Sequence, residues 1–303
     1  MISVKKIPAF FLLMLGLLCG FAKNVLADDF RILLVLSDNA PLYQRFAKAF
    51  IQDVPKGMRV DIVNQAQDFD SQKSDLIVSV GVRAAYRVAE KSSQPLLAAM
   101  IPSKSYAGLR EIKQGGISAI YLDQPWRRQV DMLHAVMPKR RRIGVLYSET
   151  QDIAGLRSEL ARQQDTLFAR HLGGKDTLSS DLEEVLGESD VLLALPDSEI
   201  YNANSIRNIL LSSYRHAIPL VGFSEAYVRA GALCAIFSTP EQIALQAVNA
   251  AASYAKTGKL PEAQYPQQYS IAVNRSVAGT FGMVIGSNEA ILLQTKKSSE
   301  DTR

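Results

Sequence analysis

Short apolar runs alternate with amphipathic stretches along most of the chain. Residues 32–36 are continuously apolar, the pattern of a strand buried on both faces, and a strand is predicted over 31–36. After a polar loop at 37–41, Tyr43, Phe46, Ala47, Phe50, Ile51 and Val54 fall at helical spacing and draw one face of a helix. The theme then repeats, with strands predicted at 59–63, 76–80, 96–100 and 117–122. Trp126, Val130, Leu133 and Met137 mark a helix that Pro138 ends. A strand at 143–147, a helix over 153–163 and a strand at 191–195 follow. Ile200, Ala203, Ile206, Ile209, Leu210 and Tyr214 predict a further helix, and 218–223 and 233–237 two more strands. Thr239-Pro240-Glu241-Gln242 opens the clearest helix of the chain, with Thr239 as cap, Pro240 in the first turn and Gln242 completing a capping box. Gly258 stops it, 269–273 is a last strand, and the polar tail from Thr295 is expected to fray.

Strand–helix alternation with continuously apolar strands predicts an α/β fold of parallel sheets covered by helices. There are too many strands for one ordinary doubly wound sheet, so two lobes are expected. No internal sequence repeat, low-complexity segment or long linker divides them. The lobes should therefore be closely associated, with several chain crossings.

The N-terminus changes the picture of where the protein works. Two lysines within residues 1–6, a nearly unbroken apolar run over 7–22 and Val25-Leu26-Ala27 have the order of a cleavable secretory leader, with the cut after Ala27. The apolar run is short for a membrane span, which needs about 20 residues. Cys19 follows Leu18 where a lipid-attachment motif needs a small residue, so lipidation is not expected. Without an anchor, the periplasm of a two-membrane bacterium fits best. The leader also carries the apparent basicity: 34 basic residues less Lys5, Lys6 and Lys23 leave 31 against 30 acidic ones. No electrostatic footprint for nucleic acid remains. Cys234 is then the one cysteine, in an apolar context that predicts a buried, unpaired thiol.

Catalytic signals are weak, and no metal, cofactor or catalytic residue is expected. His134, His171 and His216 have no ligand spacing with one another. Gly222-Phe223-Ser224-Glu225-Ala226 lacks the last glycine of a nucleophile elbow, and no histidine follows it in the chain. Lys139-Arg140-Arg141-Arg142 reads as a solvated connection. What remains is geometric: in open α/β sheets ligands bind beyond the carboxyl ends of the strands. That singles out Ser37 with Asp38 and Asn39, Gly81 to Arg83, Ser103 to Ser105, Tyr147 and Ser148, Asp197, Tyr201 and Ser224 as ligand-binding candidates. Asp197 has a second possible role as cap of the following helix.

Several segments together resemble a known family. Residues 75–84 (DLIVSVGVRA), 143–147 (IGVLY), Asp197 after Leu193-Ala194-Leu195-Pro196, Ile218-Pro219 with Gly231-Ala232-Leu233, and Asn274, Ala278 and Gly282 stand in the order and spacing of the ABC-transporter substrate-binding proteins of type I periplasmic-binding fold. The resemblance covers nearly the whole chain after the leader. It implies two Rossmann-like lobes joined by three crossings, with a small ligand between them. The division is then a leader at 1–27, lobe 1 at 28–122 plus 239–262, lobe 2 at 123–238 plus 263–286, and a tail at 287–303. Similar proteins are associated with amino-acid uptake, and the resemblance makes Asp197 the partner of a ligand ammonium group and Gly81 to Ala84 the frame of a carboxylate loop. The chain departs from the pattern at Val82, where the family has Thr or Ser, and at Pro102-Ser103-Lys104, where it has Asp-Pro. Arg83 or Lys104 would then supply the anion contact. The expected partners are the membrane subunits of a transporter, or a membrane sensor for which the protein is a periplasmic docking module without transport. A monomer is expected.

Overall fold

The computed structural model describes residues 30–64, 67–148, 153–174, 177–197 and 199–300, so the leader lies outside the described residues. The first sheet has the order β2-β1-β3-β4-β5 and is parallel throughout. Its strands are β1 Phe30–Leu36, β2 Met58–Asn64, β3 Leu76–Val80, β4 Leu96–Ile101 and β5 Ile117–Tyr121. All residues of β3 and β4 are buried, as strands covered on both faces must be. Helices α1 (Pro41–Asp53) and α9 (Pro240–Thr257) cover one face through Phe46, Phe50, Ile243 and Ala247. Helices α2 (Val82–Lys91) and α3 (Ser103–Ile112) cover the other through Ala84, Val88 and Leu109.

The second sheet has the order β11-β10-β9-β8-β6-β7. It is built from β6 Arg142–Tyr147, β7 Thr166–His171, β8 Val191–Leu193, β9 Leu220–Gly222, β10 Cys234–Phe237 and β11 Ser270–Val273, with only the β10–β11 pair antiparallel. Apart from β11 it repeats the strand order of the first sheet, a structural repeat with no trace in the sequence. Helices α4 (Trp126–Val136), α5 (Ala154–Arg162) and α11 (Asn288–Glu300) lie on one side, and α6 (Leu178–Glu188) and α7 (Ile206–Arg215) on the other. Short helices α8 (Glu225–Ala230) and α10 (Arg275–Thr280) and a single 3-10 turn at Ser71–Lys73 complete the described elements. No helix among the described residues is long and apolar enough to cross a membrane.

The chain passes between the sheets three times: at 122–125 from β5 to α4, at 238–239 from β10 to α9, and at 265–269 on the way to β11. The capping box at α9 forms as its sequence predicts: the Thr239 hydroxyl accepts the Gln242 N–H at 3.2 Å while Gln242 Oε1 accepts the Thr239 N–H at 2.9 Å. Gly258 ends the helix in the left-handed conformation.

Two expectations are corrected. The chain does not fray at Thr295: α11 runs through it, with Ile291 and Thr295 buried. The helix expected from Ile200 begins only at Ile206, because the Asp197 carbonyl accepts the N–H groups of Ile200 and Tyr201 and the Asn202 side chain those of Asn204 and Ser205, closing turns instead. The basic run is a solvated connection, as expected: Lys139, Arg141 and Arg142 are exposed, while Arg141 binds Asp165 at 3.0 Å and Arg142 and the Arg141 N–H bind Asp190, fixing the start of β6.

Candidate functional site

Residues at the carboxyl ends of strands from both sheets line one cleft, which holds two adjoining chambers of about 320 and 390 Å³. The first is walled by Met100 at the end of β4, Leu122 after β5, Phe223 after β9 and Phe237 at the end of β10. Met100 holds a left-handed φ of 56° at a bulge where the β4–β5 register shifts, a local strain at the chamber wall. Behind Phe223 lie Tyr227, with ring centroids 4.4 Å apart, and Tyr201 at 6.4 Å. Burial pushes the Tyr227 phenol up to about 12, so it remains a donor, here to the Tyr201 carbonyl at 2.8 Å.

The second chamber is lined by Ser103 and Lys104 of α3, Trp126 of α4, Gly155 of α5 and Tyr265 of the third crossing. The indole of Trp126 lies on Gly155, where a Cβ would sit 2.7 Å from Cδ1. Pro102, Asp123, Gln124, Gln129 and Pro196 face both chambers. Asp123 follows β5, and its two carboxylate oxygens accept the N–H and the hydroxyl of Ser103 at 2.7 and 2.6 Å. Gln129 is 8% exposed, and its Nε2 donates to the Gln124 carbonyl at 2.9 Å.

Charges at the rim of the first chamber neutralise one another. Arg45 makes two hydrogen bonds to Glu241, at 2.8 and 2.9 Å, and Arg229 pairs with Glu225 at 2.8 Å. The Arg45 hydrogen bond holds the Glu241 carboxyl below the ordinary value.

Of the residues singled out from the sequence, Ser103, Lys104 and Ser224 line the chambers. Ser224 is extended (φ −154°, ψ 160°), and its hydroxyl makes no capping bond to α8. Ser37 and Gly81 lie together at the start of α2, where the Ser37 hydroxyl accepts the Ala84 N–H at 3.0 Å. Arg83 turns outward and pairs with Asp38. Tyr147 packs edge-on to His171, and Tyr201 is buried beneath Phe223. Asp197 is 1% exposed and does not line either chamber; its carboxylate accepts the N–H groups of Ser148 at 2.9 Å and Glu199 at 3.1 Å. It therefore caps the turn that follows it, while Ser205 precedes α7.

The sequence reading passes over Asp123, Gln124 and Gln129. The signal is present, because Asp123 and Gln124 follow the carboxyl end of a strand just as Ser103 and Ser224 do. Strand–helix loops within a lobe are the usual place for such residues, whereas these follow a strand that leads into a crossing.

The model of the family described as ABC transporter substrate binding protein matches residues 54–298. A comparison with curated protein sequences gives no match. Among solved structures, the chain is similar to an ABC domain in complex with L-Trp from Streptococcus pneumonia, at 18% identity and a TM-score of 0.63, over 87% of this chain and 98% of that one. It is also similar to the ligand-free, open structure of a substrate-binding protein with adhesive properties from Clostridium difficile, at 18% identity and a TM-score of 0.71, over 86% and 97%. A conserved domain protein from Vibrio cholerae matches at 18% identity and a TM-score of 0.62, over 88% and 98%. These likenesses identify the fold as the type I periplasmic-binding architecture.

Proposed function

The chain belongs to the ABC transporter substrate-binding protein family, and from that premise we propose that it is the periplasmic receptor of an ABC-type uptake system, binding a small, amino-acid-like ligand between its lobes. The observation that carries this reading is the cleft itself. A chamber of about 320 Å³ lies at the carboxyl ends of strands from both sheets, at the lower end of the roughly 300–1,000 Å³ usual for ligand pockets. Its wall is apolar at Met100, Leu122, Phe223 and Phe237, and polar side chains including Gln124, Gln129, Ser224 and Ser238 stand among them. That combination suits a ligand with an apolar body and a compact polar end. The relative crystallised with L-Trp supports the same class.

In this reading Ser103 and Ser224 contact the ligand, one from each side of the cleft. Ser37, Gly81, Arg83, Tyr147, Asp197 and Tyr201 shape the loops around it. The lobes turn about the three crossings, and a ligand touching both lobes favours the closed arrangement. The membrane subunits of the transporter read that arrangement. The leader directs export and is removed by cleavage after Ala27.

The test is thermal unfolding of the processed protein against amino acids and other small metabolites. A ligand that binds only the native state raises the melting temperature once its concentration exceeds its Kd. A shift confined to one chemical class supports the receptor reading and identifies its ligand class. A panel without any shift refutes it and favours docking on a membrane sensor.

A further inference from the structure

We propose that Trp126 is a ligand-contacting residue of the second chamber, and that Gly155 determines specificity by leaving the indole room to lie back. The ligand then reaches past the first chamber and sets an oxygen acceptor against the indole N–H. This rests on the receptor reading proposed above and names a further pair of residues in that same site.

The backbone does not require a glycine at 155. It is the second residue of α5 and has no positive φ, and in such a place glycine weakens a helix relative to alanine. What it permits is a close approach. A Cβ there would lie 2.7 Å from Cδ1 and 2.9 Å from Nε1 of Trp126, closer than such atoms pack. The edge of the ring therefore rests on the backbone of α5, and both residues line the chamber. With a methyl group at 155 the indole has to lift off. Its other neighbours belong to the packed core of the second lobe, so the space open to it is the chamber itself.

The indole N–H is a second observation. Nε1 can only donate, yet it makes no hydrogen bond among the described residues and is not sealed from solvent. It lies on the edge of the ring that meets Gly155, at the chamber wall. A donor placed there gains a partner from a ligand oxygen once closure removes water. Ser103 and Lys104 of the first lobe line the same chamber. A group held against the indole can thus touch both lobes and favour their closure. A ligand confined to the first chamber leaves the N–H to water.

Trp126 is the single tryptophan of the sequence, so its emission reports on this chamber alone. The exported protein is titrated with L-alanine, L-leucine, L-phenylalanine and leucylglycine, none of which emits as tryptophan does, and with any further metabolite that shifts its melting temperature. Calorimetry and Trp126 emission follow each titration. At least one probe binds, and the emission changes over the same concentrations as the heat. Gly155→Ala weakens that binding at least about 10-fold, as overpacking by one methyl group does, and the larger of two bound probes loses more. The ligand-free variant unfolds no earlier than the native protein, because alanine favours the helix and the ring has the chamber to enter. In a Trp126→Leu background, whose flexible side chain can turn away from the methyl group, Gly155→Ala changes affinity by less than about 2-fold. That arm separates crowding by the indole from any effect of alanine on α5. Binding that leaves the emission unchanged overturns this inference and leaves the receptor reading standing. So does a Gly155→Ala loss that is absent, equal for all bound probes, or as large without the indole as with it. If no small molecule binds at all, the receptor reading falls and this inference falls with it.

Discussion

Gly81 leaves no room for a side chain. Its φ is +86°, and an added Cβ would lie 2.6 Å from the Tyr43 hydroxyl and 2.7 Å from Ser37 Oγ. Those two side chains fill the notch between β1, β3 and the start of α2, and Ser37 takes the Ala84 N–H there. Gly81→Ala therefore forces both backbone strain and displacement of two buried hydroxyl groups, and should lower stability by about 1–3 kcal/mol. Urea unfolding at equilibrium measures this as a lower midpoint with an unchanged slope. Asp181, at the start of α6, makes a prediction of a different kind. Burial alone would raise its pKa, but hydrogen bonds from the Thr177 hydroxyl, the Gly173 N–H and Arg170 outweigh it and hold the carboxyl below its ordinary 3.8. The unfolded chain then binds the proton more readily than the native one, so stability from this group is fully present above 3.8 and is lost as pH falls through the depressed native value. Asp181→Asn should destabilise the protein at neutral pH and make progressively less difference in strong acid. Unfolding midpoints of both proteins across that range check it.

At the scale of elements, what was legible from sequence divides by burial. Strands β1, β3 and β4, covered on both faces, announce themselves as unbroken apolar runs. The edge strand β7 does not: in TLFARH no residue is buried and four of six are exposed, so its place is set by pairing with β6 rather than by its own composition. Helix α3 buries only Leu109, which leaves no stripe to read. Helix α6 did carry a signal, in Leu182, Val185 and Leu186, that the sequence reading passed over. The cleft was half legible for a related reason. Ser103 and Ser224 follow strands in the expected way, whereas Asp123 and Gln129 gain their meaning only when two sheets close on the same crossing. The most consequential misreading was the polar tail. Helix α11 packs on α4 and β11 through few apolar residues, and Ile291 is 3% exposed within the core of the second lobe. Ile291→Ala should cost about 2–5 kcal/mol by leaving a cavity there. A fraying tail would give no change, so the shift in denaturation midpoint decides between the two.

The two sheets form one molecule through a polar clasp that ties the three crossings together. Gln124 Nε2 on the first crossing donates to Ser238 Oγ on the second at 2.9 Å, and the Ser238 hydroxyl donates to the Gln268 carbonyl on the third at 2.6 Å. Arg128 closes the circuit from α4: Nη1 donates to Gln124 Oε1 at 2.5 Å and to the Pro266 carbonyl at 2.9 Å, and the guanidinium lies 4.0 Å over the ring of Tyr269. An apolar contact would let the crossings slide past one another, whereas directional bonds around a planar guanidinium fix their relative angle and leave each lobe rigid on either side. Gln124 and Ser238 also line the first chamber, so whatever fills it touches the clasp directly. Arg128→Met keeps the apolar stem and removes the charged donors, leaving Gln124 Oε1 and the Pro266 carbonyl without them. Hydrogen bonds to a charged group contribute about 1.5–3 kcal/mol, which corresponds to roughly 10–100-fold faster local opening. Amide hydrogen exchange should therefore accelerate by that factor in 122–125, 238–239 and 265–269, while protection within β3, β4 and β6 stays as it was. Acceleration spread evenly over the second lobe would instead mean that Arg128 supports the core beneath α4 and that the crossings are held by packing alone.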